Sequence, residues 1–212
     1  MNSAVCLPNL EVLEIYDKST LYYGGNQDWF FDRWQQKAGC GPTSCANLIC
    51  YLAKTRMDCE ALCPYDIKEK AGFLQLMEAV WHYVTPGDKG VNTTDIFVDG
   101  VLGYGADKGV PLISKAITVA PINSGARTSS DIFQFVFQAL DCKLPVAFLN
   151  LSNGTLHNLD SWHWVTIVAL RGDCALIYDQ SKAKWINLRQ WLSTSIKGGG
   201  FVTVEKACAS DM

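Results

Sequence analysis

Nine cysteines stand beside only three histidines in this chain of 212 residues. A cysteine does its strongest chemistry as a thiolate, and with a free pKa of about 8.5 it needs help at neutral pH. A helix N-terminus gives that help, because unpaired amide groups and the helix dipole favour negative charge there. Cys40 has this placement. It lies in Ala38-Gly39-Cys40-Gly41-Pro42, where two glycines and a proline mark a sharp turn, and proline is favoured in the first turn of a helix. Ala46, Leu48, Ile49 and Leu52 then recur at helical spacing, which predicts a helix from Thr43 to Arg56. Cys45 and Cys50 fall inside that helix, Cys142 and Cys174 border turns, and Cys6 and Cys208 lie near the termini.

A nucleophilic thiol also needs a base, and the base needs an orienting group. His82 sits between Trp81 and Tyr83 in a helical pattern, and His157 sits in a polar loop. His163 opens an apolar strand between Trp162 and Trp164, where a ring is held rigidly yet can face a cleft. If Arg171-Gly172-Asp173 is a three-residue turn, Val165 faces Asp179 in the hairpin. His163 then shares a sheet face with Val165 and has Asp179 as its diagonal neighbour. A two-residue turn would put the two side chains on opposite faces. An oxyanion formed on attack needs donors. The Cys40 amide is one; Gln35 and Gln36, just upstream, and Gln27, in the earlier loop, are candidates for the other.

The remaining cysteines have simpler uses. An odd number cannot all pair within one chain. Met1 to Leu10 lacks the basic start and apolar core of an export signal, so a cytoplasmic chain with free thiols is expected. Cys59 and Cys63 lie four apart and no Cys-x-x-Cys occurs, so no metal site and no cofactor are expected. The eight other thiols are expected to act as packing residues. Apolar residues make up 49% of the chain and charged residues 18%, with net charge −3. That excludes a disordered chain or a coiled coil, and the lack of a basic stripe argues against a nucleic-acid partner. No apolar run approaches the roughly 18 residues of a membrane span, so no membrane partner is expected either.

The elements that must carry these residues follow from patterning. Leu10 to Tyr16 reads as a strand and Leu21 to Arg33 as a loop. Tyr65 to Tyr83 reads as a helix, and Asn92-Thr93-Thr94-Asp95 as a capping box opening a helix to Tyr104. Ile117 to Ile122 reads as a strand, Ser129 to Leu140 as a helix, and Leu144 to Leu151 as a buried strand. Trp162 to Leu170, Cys174 to Asp179 and Ala183 to Asn187 form a meander, with Gln180-Ser181-Lys182 as its second turn. A short helix, Leu188 to Ser195, a break at Gly198-Gly199-Gly200 and a last strand, Phe201 to Glu205, complete the chain. Helices first and an antiparallel sheet last is the α+β pattern, in a single domain over residues 1–212 with its core at about 20–206.

Gln35-Gln36-Lys37-Ala38-Gly39-Cys40-Gly41-Pro42-Thr43-Ser44 resembles the nucleophile segment of papain-like cysteine peptidases. Trp162-His163-Trp164-Val165-Thr166-Ile167-Val168 resembles their histidine strand, and Ile177-Tyr178-Asp179-Gln180 their aspartate strand. The bacteriocin-leader-processing (C39-like) branch and its bacterial relatives are the most similar. The resemblance implies a papain-like fold, N-terminal helices packed on a C-terminal antiparallel sheet. It implies Cys40 as nucleophile, His163 as base, Asp179 as its orienter and an upstream glutamine at the oxyanion. The family glutamine commonly lies six residues before the cysteine. Position 34 is Trp here, so Gln35 is the choice and Gln27 the substitute. Gln27, Trp34, Gly39 and Trp162 are the candidate substrate contacts, although Trp34 and its aromatic neighbours Trp29, Phe30 and Phe31 could equally pack the loop onto the core. The implied activity is thiol-dependent hydrolysis of a peptide, protein or small amide through a thioester. The same scaffold also supports γ-glutamyl or transglutaminase-like acyl transfer, or a silent binding module.

Overall fold

A computed structural model of the chain describes residues 4–122 and 129–208. The centre of the fold is a helix that is apolar nearly all round. It is α2, Cys40–Thr55, and every residue from Gly41 to Ala53 is buried. A helix of that kind must lie inside, and α2 lies against a sheet on one side and against shorter helices on the other. Preceding it are β1 (Ala4–Cys6), a hairpin of β2 (Glu14–Asp17) and β3 (Thr20–Tyr23), and a short helix α1 (Arg33–Ala38). After it come α3 (Lys70–Trp81), α4 (Thr94–Asp107), β4 (Leu112–Val119), α5 (Ser129–Asp141) and β5 (Val146–Asn150). The chain then runs through β6 (His163–Arg171), β7 (Cys174–Asp179), β8 (Lys182–Asn187), α6 (Leu188–Thr194) and β9 (Gly199–Lys206).

The main sheet has the order β4-β9-β5-β6-β7-β8, with β1 also paired to β6, and its ladders are antiparallel. One contiguous apolar core runs from Leu7 to Val204. Helices on an antiparallel sheet are the α+β arrangement expected of the sequence. The order along the chain is less tidy than expected, because β4 leaves the middle of the helical half to form an edge of the sheet.

Several elements differ from their sequence patterns. Leu10–Leu13 is a 3-10 turn and the strand begins only at Glu14. The hairpin β2–β3 turns at Lys18, in the left-handed region at φ 57°, with no glycine to announce it. The helix α4 is capped by Thr93, whose hydroxyl accepts from the Ile96 amide at 3.3 Å, and it continues to Asp107. The glycines near 199 do not break the chain. Gly199 and Gly200 open β9, because a Cβ at Gly199 would strike the Leu149 carbonyl of the adjacent strand.

Candidate active site

Three side-chain bonds tie the N-terminal half of α2 to β6. The Ser44 hydroxyl donates to the Val165 carbonyl at 3.2 Å and lies 3.1 Å from Thr166 Oγ1. Asn47 Nδ2 donates to Thr166 Oγ1 at 3.0 Å. All are buried, so they fix the height of the helix on the strand. Neither Ser44, Asn47 nor Thr166 stood out in the sequence, since each looks like an ordinary polar residue in an apolar run.

That height sets the site. Cys40 is the first residue of α2, half-buried, and Gly39 is the joint between α1 and α2. A side chain at Gly39 would collide with the Gln35 carbonyl and with the Phe30 ring, so glycine lets the two helices meet there. His163 is the first residue of β6 and is 7% exposed. Its Nε2 lies 2.7 Å from Asp179 Oδ1, which leaves Nδ1 as the ring nitrogen for Cys40. Gln27, Cys40, Thr43, His163 and Asp179 line one small cavity.

The hairpin reaches this arrangement by a route the sequence pattern does not predict. Arg171 pairs with Cys174, so the turn has two residues, Gly172 and Asp173. Two residues alone would point His163 and Asp179 to opposite faces. A β-bulge intervenes: Ala169 faces Leu176 while Ile167 faces Ile177, so Val168 is the extra residue on β6. The register beyond the bulge is the one a three-residue turn would have produced, with Thr166 opposite Tyr178. The other two histidines, His82 and His157, are both exposed and away from this cavity.

Burial works against a charged His163. The hydrogen bond to Asp179 and the electrostatic interaction with Cys40 outweigh it and raise the imidazole's pKa. Burial likewise opposes ionisation of Asp179, yet His163 and Lys184 hold its carboxyl below the usual range. Lys184, on β8, places Nζ 2.7 Å from Asp179 Oδ2. The sequence pattern did not single it out, although it lies two residues beyond the backbone partner of Asp179 on the same face.

The glutamines divide clearly. Gln35 Nε2 donates to Glu78 Oε2 on α3 at 2.7 Å, and the side chain is not brought to Cys40. Gln36 Nε2 donates to the Phe30 carbonyl at 2.7 Å. Gln27, thirteen residues before Cys40, does line the cavity. One N–H of its amide goes to the Gln36 carbonyl at 2.7 Å, and its Oε1 is buried with no partner among the described residues.

On its other side Cys40 borders a second cavity of about 170 Å³, lined by Trp34, Ala38, Gly90, Val91 and Trp162 among others. Trp162 adopts φ 59°, and its indole donates to the Lys89 carbonyl at 2.8 Å. Trp164 donates to the Val91 carbonyl at 2.6 Å and stacks on Phe97 at 4.4 Å. The two tryptophans beside His163 therefore clip one loop, 87–91, against the cleft. Of the four proposed substrate contacts, Gln27, Trp34 and Trp162 line these two cavities; Gly39 lines neither.

All nine cysteines are thiols, outside any disulfide. Cys45, Cys50, Cys59 and Cys63 are buried, but Cys6, Cys142 and Cys208 are exposed and Cys174 is half-exposed, so packing accounts for only half of the other eight. Among the described residues no three His, Cys, Asp or Glu side chains come together to hold a metal ion. None of the described helices is long and apolar enough to cross a membrane.

No family model matches the chain, and no curated protein matches it in sequence. Its likeness to known proteins is one of fold. A protein from Bacillus anthracis named as a C39-like peptidase superposes with a TM-score of 0.50 at 10% identity, covering 97% of this chain and 100% of that one. The peptidase domain of Streptococcus ComA, a bifunctional ABC transporter of a quorum-sensing pathway, gives 0.42 at 13% identity over 81% and 92%. The Pseudomonas avirulence protein AvrPphB gives 0.35 at 11% identity over 80% and 92%. The fold is thus an α+β fold like that of the Bacillus anthracis C39-like protein.

Proposed function

We propose that this chain is a cysteine peptidase-like hydrolase of peptide or amide bonds, with Cys40, His163 and Asp179 as its catalytic set. The observation that carries the reading is the alignment of the three. His163 is bonded through Nε2 to a buried carboxylate, and its ring lines one small cavity with a cysteine that opens a helix. The C39-like fold supports it.

In this reading the Cys40 thiolate attacks the substrate carbonyl carbon. The oxyanion is held by the Cys40 amide and by Gln27 Nε2, which has a second N–H besides the one given to Gln36. His163, as imidazolium, protonates the leaving amine as the C–N bond breaks, leaving a thioester on Cys40. Water, deprotonated by His163, then adds to the thioester, and the acid departs as the thiolate returns. Gln27 takes the oxyanion role in preference to Gln35, whose amide is engaged by Glu78. The substrate lies along the cleft walled by Trp34 and Trp162.

Mass spectrometry of the protein quenched in acid during turnover of a complex peptide mixture tests this. The expected result is an acyl adduct on Cys40 and new peptide termini, both lost in Cys40→Ala. No adduct and no Cys40-dependent termini across a broad peptide set would overturn the reading. Adding a free amine or thiol acceptor shows whether the acyl group goes to water, as expected here.

A further inference from the structure

We propose that Lys184 is a positioning residue for the His163–Asp179 pair: it fixes the carboxylate and limits how tightly that carboxylate holds the imidazolium. This rests on the catalytic reading above. The Asp179 side chain is 2% exposed, so water does little to solvate or orient it. Its two oxygens are divided. Oδ1 lies 2.7 Å from His163 Nε2 and Oδ2 lies 2.7 Å from Lys184 Nζ. A carboxylate held at both oxygens cannot rotate about its Cβ–Cγ bond without losing a charge-assisted hydrogen bond, and the ring it orients is held with it.

The charge matters as well as the bond. When His163 is protonated, Asp179 lies between two cations and shares its charge with both. An imidazolium gripped by an undivided buried carboxylate would be a weak acid, poorly matched to giving its proton to a leaving amine. Lys184 lowers that grip. Among the described residues no other cation is within ion-pair distance of Asp179. Cys40 faces the pair from α2, and Asn150, opposite His163 on β5, is neutral. Lys182, the backbone partner of Asp179 on β8, is exposed, while Lys184 is the lysine that turns in to the carboxylate.

The test is an NMR titration of the His163 ring in Cys40→Ala protein, where the thiol no longer interacts with the imidazole. Adding Lys184→Met is expected to raise the His163 midpoint by about half a unit to one unit, since a nearby opposing charge has been removed. Adding Lys184→Arg is expected to leave it in place. An unmoved midpoint in the Met variant, or a fall, would overturn the proposal. Lys184→Gln keeps a donor without the charge, so it should raise the midpoint as Met does yet retain more activity in the Cys40 protein. A purely structural lysine would instead lower the melting temperature of the Met variant and leave the midpoint alone. The catalytic reading fails separately: if replacing Cys40 by Ala does not lower the His163 midpoint, the thiol and the ring are not a pair, whatever Lys184 does.

Discussion

The first turn of helix α2 and its interior carry the same residue type in opposite circumstances. Cys45 and Cys50, in its interior, are wholly buried, and desolvation pushes both thiols far above the ordinary range. Burial disfavours the thiolate at both, and each fills space as a small apolar side chain would. Cys40, at the first turn, is half-exposed in a cleft with a histidine ring beside it. The difference lies in surroundings: one position opens to solvent and a proton acceptor, while the others face Val12, Tyr104 and the rest of the core. Position along one helix therefore separates a candidate reagent from a structural thiol.

The sharpest way to break that contrast is to compare substitution in the first turn with substitution in the interior. Cys40→Ala should reduce turnover on the order of 10⁴-fold with little change in melting temperature. Cys45→Ser should do the reverse, costing about 1–3 kcal/mol of stability through a buried hydroxyl while leaving turnover near normal. Equal losses of activity at both positions, measured beside thermal melts, would erase the distinction.

Asp179→Asn probes the environment that sets Cys40 apart, and should reduce kcat/KM by on the order of 10²- to 10³-fold. It also has a signature in stability. The lowered pKa of Asp179 gives stability that is present above about pH 4 and lost as pH falls through the folded value. The raised pKa of His163 gives stability that is complete below about pH 6.5 and lost as pH rises through the folded value. The difference in urea midpoint between the protein and Asp179→Asn should thus be widest between about pH 4 and 6.5 and narrow on both sides. A difference that keeps widening above pH 7 would contradict the pairing.

Smaller effects sharpen the picture around the first turn. Gln27→Ala should reduce kcat by on the order of 10²-fold, whereas Gln35→Ala should leave kcat within about threefold. The reverse ranking would return the oxyanion role to Gln35. Least of all, Trp34→Ala should raise KM a few-fold with kcat held, as expected for a wall that binds ground and transition states alike.

What the sequence disclosed depended on range. Cys40 at a helix start was legible because glycine, proline and helical spacing are local signals. The meander was legible because alternation is local too. The hairpin count was not: the pattern offered two turn lengths and could not show that Val168 would bulge. Gln180 and Ser181 both adopt left-handed backbone, at φ 47° and 59°, in a two-residue turn without glycine or asparagine. The pattern therefore gave that turn a third residue, Lys182, and left Lys184 unplaced relative to Asp179. Gln27 stayed in the background because a loop contact across thirteen residues leaves no periodic trace. Gln35 was attractive only by closeness in sequence, and its amide is drawn to Glu78 on another helix.

The bulge at Val168 has a wider meaning for how this meander can change. Strand residues alternate like the terms of an odd–even series, and the bulge is the one added step that brings His163 and Asp179 into phase across a turn of the wrong parity. A residue inserted between Arg171 and Cys174 would be an error of phase, yet deleting Val168 in the same chain would cancel it. Turn length and bulge are thus a coupled pair of variables. The hairpin can lengthen or shorten over time only along paths that preserve their sum, and any single step off such a path turns the carboxylate away from the ring.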